Sequence, residues 1–312
     1  MYSLFGVCFR SDLALQLPHA PRSAEARFAL QAVQGEWPKE EAGPVEYESL
    51  DDWFALRVFR DGSVEMEWRD WLSFWIDPAG HSVGYRVNDQ EYPRAFEAFV
   101  GNFAVSACLL LQGEEPLHST VVKYRGRGLG FLGPSGAGKS TLSSYLVQRG
   151  AELITDDMLR ITESLGRLFA EPGLARIKLF EEPARMYSPL AFNLGRWNPL
   201  SQKYLFDFLP PTQPRAAAPL HALFYLAPAH EKSPDSIVMR SLEGMELFEA
   251  LTSSTMNSRL QVADRLARQF AFATDLAGKL PVYALHYPRR HDIFPALLAA
   301  IEDVVSSPCE AD

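Results

Sequence analysis

Short runs of alternating apolar and polar residues dominate the first ninety positions. Trp53–Phe59, Ser63–Trp68 and Ser82–Val87 each predict a strand, with the turn signals Asp61-Gly62 and Pro78-Ala79-Gly80 between them. Trp71, Phe74 and Trp75 are expected in the core of this β layer. The stretch from Pro18 to Pro44, rich in Ala, Pro and Glu, reads as a loop or irregular excursion. From Tyr92 to Leu111 the period changes. Phe96, Phe99, Phe103, Ala107 and Leu110 recur at spacings of three and four, which predicts a helix.

A different texture begins near Pro116. Val121–Tyr124 and Gly128–Leu132 predict two strands joined by Arg125-Gly126-Arg127, and Lys139 to about Gln148 predicts a helix that Gly150 stops. Ala151–Thr155 then predicts a strand running into Asp156-Asp157. Further strands are expected at Leu159–Glu163, Arg167–Ala170, Leu220–Leu226 and Val282–Tyr287, and helices at Ser258–Thr274 and His291–Val305. Strands alternating with helices around a glycine-rich turn imply an α/β domain. The expected organisation is a β-rich region over 1–91 followed by an α/β domain over 92–312.

Composition narrows the function classes. The net charge of −9, from 30 basic and 39 acidic residues, argues against a general nucleic-acid binder. An apolar share of 47% and a charged share of 22% exclude disorder and low complexity. Cys8, Cys108 and Cys309 form neither a disulfide framework nor a zinc spacing and fit a reducing cytoplasm. The longest uncharged stretch, Ala98 to Gly113, is too short to span a bilayer and contains Asn102 and Gln112. The expectation is a cytoplasmic protein with no membrane or nucleic-acid partner.

One motif carries chemistry by itself. Gly133-Pro134-Ser135-Gly136-Ala137-Gly138-Lys139-Ser140, followed by Thr141, matches the phosphate-loop pattern G-x-x-x-x-G-K-[ST] in full and sits between a predicted strand and a predicted helix. Glycines let successive N–H groups curl around one concavity, at which the helix also directs its positive end. Lys139 is placed to reach β- and γ-phosphates, and the Ser140 hydroxyl to join a Mg²⁺ shell. No N-K-x-D guanine specifier occurs, which favours ATP over GTP. At the end of the following strand, Asp156-Asp157 should face the same crevice, where a carboxylate can orient Mg²⁺ or accept a proton from an attacking hydroxyl. His118, at the start of the strand that feeds the hairpin, is a candidate for tuning that base or sensing the γ-phosphate. Arg125 and Arg127 could touch phosphate; Arg176, Lys178 and Arg185 could line a phosphate or acceptor site. Arg289-Arg290-His291 reads as surface charge.

The order Leu117-His118, Gly128–Leu132, Gly133–Ser140, Arg149-Gly150 and Leu153–Asp157 resembles the catalytic domain of the HPr kinase/phosphorylase family, in particular its smaller related serine kinases. The resemblance implies a P-loop kinase core, a mixed sheet with flanking helices like that of HPr kinase and PEP carboxykinase. It also implies the roles. Lys139 and the loop Gly133–Thr141 would hold ATP, Asp157 would be the base toward a serine hydroxyl, His118 would assist, and Ser140, Asp156 and Glu171 would bind Mg²⁺. The phosphoacceptor would be a protein, peptide or small molecule, and a homo-oligomer is suggested. The amino-terminal part is unlike the receiver domain of HPr kinases. A phosphorylase acting on a phosphoserine acceptor, and a nucleotide-sensing module without transfer, stay open as alternatives.

Overall fold

The computed structural model describes residues 1–88, 93–188, 191–197, 201–226, 235–262 and 264–306. Tyr92, Pro199, Ala263 and Cys309 lie outside them. The amino-terminal strands are β1 Tyr2–Leu4, β2 Val7–Ser11, β3 Phe28–Ala32, β4 Val45–Leu50, β5 Phe54–Phe59, β6 Val64–Trp68, β7 Leu72–Ile76 and β8 Ser82–Val87. They form one sheet in the order β1-β2-β3-β8-β7-β6-β5-β4. The three strands expected from alternation are present. The Pro18–Pro44 excursion is not wholly irregular, because β3 lies inside it, paired in parallel with β2 and β8, and a short helix α1 follows at Lys39–Ala42. Trp71, Phe74 and Trp75 are all buried.

The helical pattern after Pro93 folds as α2 Pro93–Phe99, a π-helical turn Val100–Val105 and α3 Ser106–Leu111. Its apolar face packs on the sheet. Phe99 meets Trp68 and Trp71 edge-on at 4.9 and 4.5 Å, and Phe96 lies 5.2 Å from Tyr85. A π turn fits one extra residue into the helix and re-aims the side chains beyond it, which is why such turns recur at functional sites.

The second sheet has a different plan. After β9 Leu117–His118 come β10 Thr120–Tyr124, β11 Arg127–Leu132, α4 Lys139–Gln148, β12 Glu152–Thr155, β13 Met158–Leu159, β14 Ile161–Ser164 and β15 Arg167–Ala170. Then follow β16 Arg176–Leu179, α5 Glu181–Tyr187, β17 Phe192–Arg196, β18 Tyr204–Asp207, β19 Ala218–Leu226, β20 Val238–Ser241, α6 Gly244–Ser253, α7 Arg265–Ala277, β21 Val282–His286 and α8 Phe294–Ser306. Strands β12, β10, β11 and β19 lie side by side, with β15 and β21 sharing the far edge of β19. β11, β19 and β21 are parallel, whereas β10 runs antiparallel to both β11 and β12. The carboxyl ends of β11, β12, β19 and β21 therefore share one edge of a mixed sheet.

Both faces of this sheet are covered. The residues of β19 divide between two layers: Ala222, Phe224 and Leu226 pack with Leu142 and Leu146 of α4 and Leu297 of α8. Leu223, and Leu220 on the other side of a register shift against β11, pack with Leu251 of α6 and Leu276 of α7. Burial on both faces explains why β19 reads as a nearly continuous apolar run.

Two expected elements are shorter. The strand expected at Leu159–Glu163 is broken at Arg160, where the chain leaves β9 as its partner and takes up β15. The helix expected from Ser258 starts only at Arg265, because Asn257 (φ +45°) and Asp264 (φ +57°) adopt left-handed conformations that no helix continues.

Candidate functional site

The glycine-rich turn leaves the carboxyl end of β11 and enters α4. Two of its glycines are sterically required. Gly133 has φ +123°, and a Cβ there would stand 2.5 Å from the Leu226 carbonyl oxygen. Gly138 has φ +94°, and a Cβ would meet Tyr287 and Arg289 at 3.0 Å. Pro134, Ser135 and Gly136 form an exposed tip, with Ala137 buried beneath and Thr141 half-buried in the first turn of α4. The Ala137 amide donates to the Pro134 carbonyl at 3.1 Å, closing the turn. Lys139 folds over it, its Nζ donating to the Gly133 carbonyl at 2.7 Å and that of Pro134 at 3.1 Å. Burial pushes the Lys139 pKa down to about 8. From the carboxyl end of β21, Arg289 donates to the Ala137 carbonyl and lies 5.0 Å from the Tyr287 ring centre.

The acidic pair sits directly opposite. Asp156 is buried, and its Oδ1 accepts Thr120 Oγ1 at 2.6 Å and Ser140 Oγ at 3.1 Å. Its Oδ2 accepts the Lys178 amide at 3.0 Å. Burial and then the neighbouring Asp157 raise its pKa. Asp157 takes the left-handed conformation, φ +70°, which turns it away from β12. Lys178 Nζ pairs with its Oδ2, which also accepts Asn102 Nδ2 at 2.9 Å. Burial opposes ionisation there, but Lys178 and then His118 hold the carboxyl below its usual value. The two adjacent acids are thus driven apart, Asp157 being the more readily ionised.

His118 reaches the pair through β-pairing, since β9 and β13 align His118 with Met158. Its Nε2 is 3.9 Å from Asp157 Oδ1, beyond hydrogen-bond length. Burial, then Lys139, push its pKa down to about 4, so the imidazole is neutral at pH 7. Lys178 lies flat over Trp197, 3.9 Å from the ring centre.

Lys139, Ser140, Asp156, Asp157 and His118 are therefore brought together. Glu171 is not. Its carboxylate accepts Thr162 Oγ1 at 2.7 Å and fills the space beside Gly6. Among the described residues no cluster of three or more His, Cys, Asp or Glu could by itself hold a metal. The hard oxygens of Ser140 and Asp156 fit Mg²⁺ as it usually binds, through one or two protein oxygens plus phosphate. Arg125 and Arg127 are also elsewhere. The turn they occupy is at the start of β11, roughly 20 Å of strand from the glycine loop, and they engage Glu302 and His221.

Three site residues escape the sequence reading or enter it in another role. Asn102 comes from the π turn, inside a stretch that signals only burial. Lys178 enters the sequence reading as one of three charges that could line a phosphate or acceptor site, not as the partner of Asp157. Arg289 reads as surface charge, yet it braces the loop.

Asp157, His118, Lys178 and Asn102 open onto a cavity of about 360 Å³. Its other wall is aromatic, with Trp53 from the β4–β5 connection, Phe54 and Trp68 from the first sheet and Phe103 from the π turn. A second void at Asp156 and Asp157, of about 20 Å³, has room for one water.

No family model matches the chain. Over 71 residues it is 39% identical to the HPr kinase/phosphorylase of Clostridium botulinum strain Eklund 17B and equally to that of strain Alaska E43. The matched segment is 23% of this chain and 23% of each relative's length. A search of solved structures returns the Hpr(Ser) kinase/phosphatase of Coxiella burnetii at 12% identity and a TM-score of 0.31, covering 60% of this chain and 94% of that one. The sequence match makes the chain, over that segment, similar to the HPr kinase/phosphorylase family.

Proposed function

We propose that this chain is an ATP-dependent kinase that transfers the γ-phosphoryl group to an alcohol, in the first place a serine hydroxyl. The observation that carries the reading is the position of Asp157. It is an ionisable carboxylate one residue beyond the Asp bonded to the phosphate-loop serine, and it opens onto a cavity large enough for an acceptor.

In this reading the amides at the start of α4 and Lys139 cradle the triphosphate. Ser140 and Asp156 hold Mg²⁺, which when bound neutralises phosphate charge. Asp157 orients the acceptor hydroxyl and takes its proton. Its depressed pKa makes it a weak base, which suits a loose phosphoryl-transfer transition state in which the proton leaves late. Lys178 and Asn102 fix the carboxylate, and neutral His118 stands beside it as a second proton acceptor. Catalysis is then mainly positioning and charge neutralisation, with the base contributing about 10²–10⁴-fold.

Incubation with γ-labelled ATP and seryl acceptors, read by mass spectrometry, tests the assignment. Asp157→Asn should lose about 10²-fold or more in transfer while ATP affinity is kept. Full activity in that variant sinks the base role. Lys139→Ala should remove most ATP affinity, and unchanged binding would count against a phosphate site at the loop.

A further inference from the structure

The cavity in front of Asp157 has a composition that constrains what enters it. Trp53, Phe54, Leu56, Trp68, Phe103 and Met256 supply its apolar lining. Trp53, Phe54 and Phe103 are only partly buried, so they present apolar surface to the space rather than being used up in the core. At about 360 Å³ the cavity falls in the lower part of the range of small-ligand sites. It is far roomier than the other void at Asp157, which admits one water.

Charge is balanced throughout this lining. Lys178 pairs with Asp157, and at the rim Arg259 pairs with Asp51 at 2.7 Å. His118 is neutral at pH 7. The remaining polar groups, Asn102 and Asn257 among them, are uncharged hydrogen-bonding side chains. A carboxylate or phosphate on the acceptor would compete with Asp157 for Lys178 or with Asp51 for Arg259 and would lie against the Asp157 carboxylate.

Resting on the transfer reading above, we infer that this cavity is the acceptor site and that it selects an uncharged alcohol with an aromatic or aliphatic body. That chemistry belongs equally to a free small molecule and to a serine flanked by apolar residues in a peptide. The first sheet and the π turn thus supply specificity, and the second sheet supplies phosphate binding and the base.

The full chain with ATP and Mg²⁺ is titrated with N-acetyl-Phe-Ser-amide, N-acetyl-Glu-Ser-amide and 2-phenylethanol, following tryptophan fluorescence for binding and labelled phosphate for transfer. The Phe-Ser compound should bind at least about tenfold more tightly than the Glu-Ser compound. Trp53→Ala should weaken it by a similar factor with ATP affinity unchanged. Should that variant misfold, Ser258→Trp, an exposed cavity-lining position, should block binding in a folded protein whose ATP affinity is intact. Transfer to 2-phenylethanol identifies free alcohols as the source; transfer to the peptide alone identifies a peptide. Equal affinity for the Phe and Glu compounds, or binding indifferent to both variants, overturns the inference. Selective binding without any transfer keeps the cavity assignment and overturns the kinase reading.

Discussion

Lys139 carries a positive charge in a buried turn where its nearest partners are two carbonyl oxygens. With its pKa lowered to about 8, most of the population is neutral above that pH, and on the proposed reading an arriving triphosphate would restore the ammonium. ATP binding at pH 8.5–9 should therefore take up protons, and at pH 7 hardly any; calorimetry in buffers of different ionisation heat measures this. Identical heats in all buffers would mean that Lys139 does not meet the phosphates. His118 has the opposite role in acid. Its pKa of about 4 lies below the ordinary 6.5, so between those values the unfolded chain binds more protons than the folded one. Stability is then lost as pH falls from 6.5 toward 4, and the depressed Asp157 adds a loss in the same direction at lower pH. Urea midpoints measured across this range should fall less steeply for His118→Gln.

At the scale of elements, the glycine turn separates two kinds of glycine. Gly133→Ala must place a methyl group 2.5 Å from the Leu226 carbonyl oxygen, so β11 and β19 have to part. Gly136→Ala points into open space and suffers only its left-handed φ, about 1–2 kcal/mol. Thermal melts should show a large drop for Gly133→Ala and a small one for Gly136→Ala. The run from β10 to β12 was legible in the sequence because it is local: a hairpin, a loop with its own motif and a helix stopped by Gly150. β1, β2, β4 and the β16–β18 sheet were not legible, being short strands whose pairing is set by distant segments. The break at Arg160 was hidden too, because residues 158–164 look uniformly strand-like and only the exchange of partners divides them. Within the site, motif residues could be read and their neighbours could not. Asn102 reaches Asp157 across 55 positions and Lys178 across 21, and no spacing rule encodes either approach.

Across the whole molecule, buried ion pairs join the α2 segment to the region behind the acidic pair. Arg176, almost fully buried, bonds Asp207 at 2.7 Å and Glu97 of α2 at 3.3 Å. Arg176→Ala would take the guanidinium from two buried carboxylates, leaving Glu97 with the Gln16 amide, and should cost about 3–5 kcal/mol, read as a lower urea midpoint. A midpoint unchanged from the parent chain would show that these acids find other partners or are protonated. The π turn beside Glu97 has a wider consequence. Asn102 and Phe103 are adjacent in sequence, yet one bonds the Asp157 carboxylate and the other lines the cavity in front of it. A single codon inserted or lost in that turn would rotate both at once. On the proposed reading, a change confined to that one helical turn would reshape the acceptor cavity and the footing of Asp157 together, with the Lys139 loop left as it is.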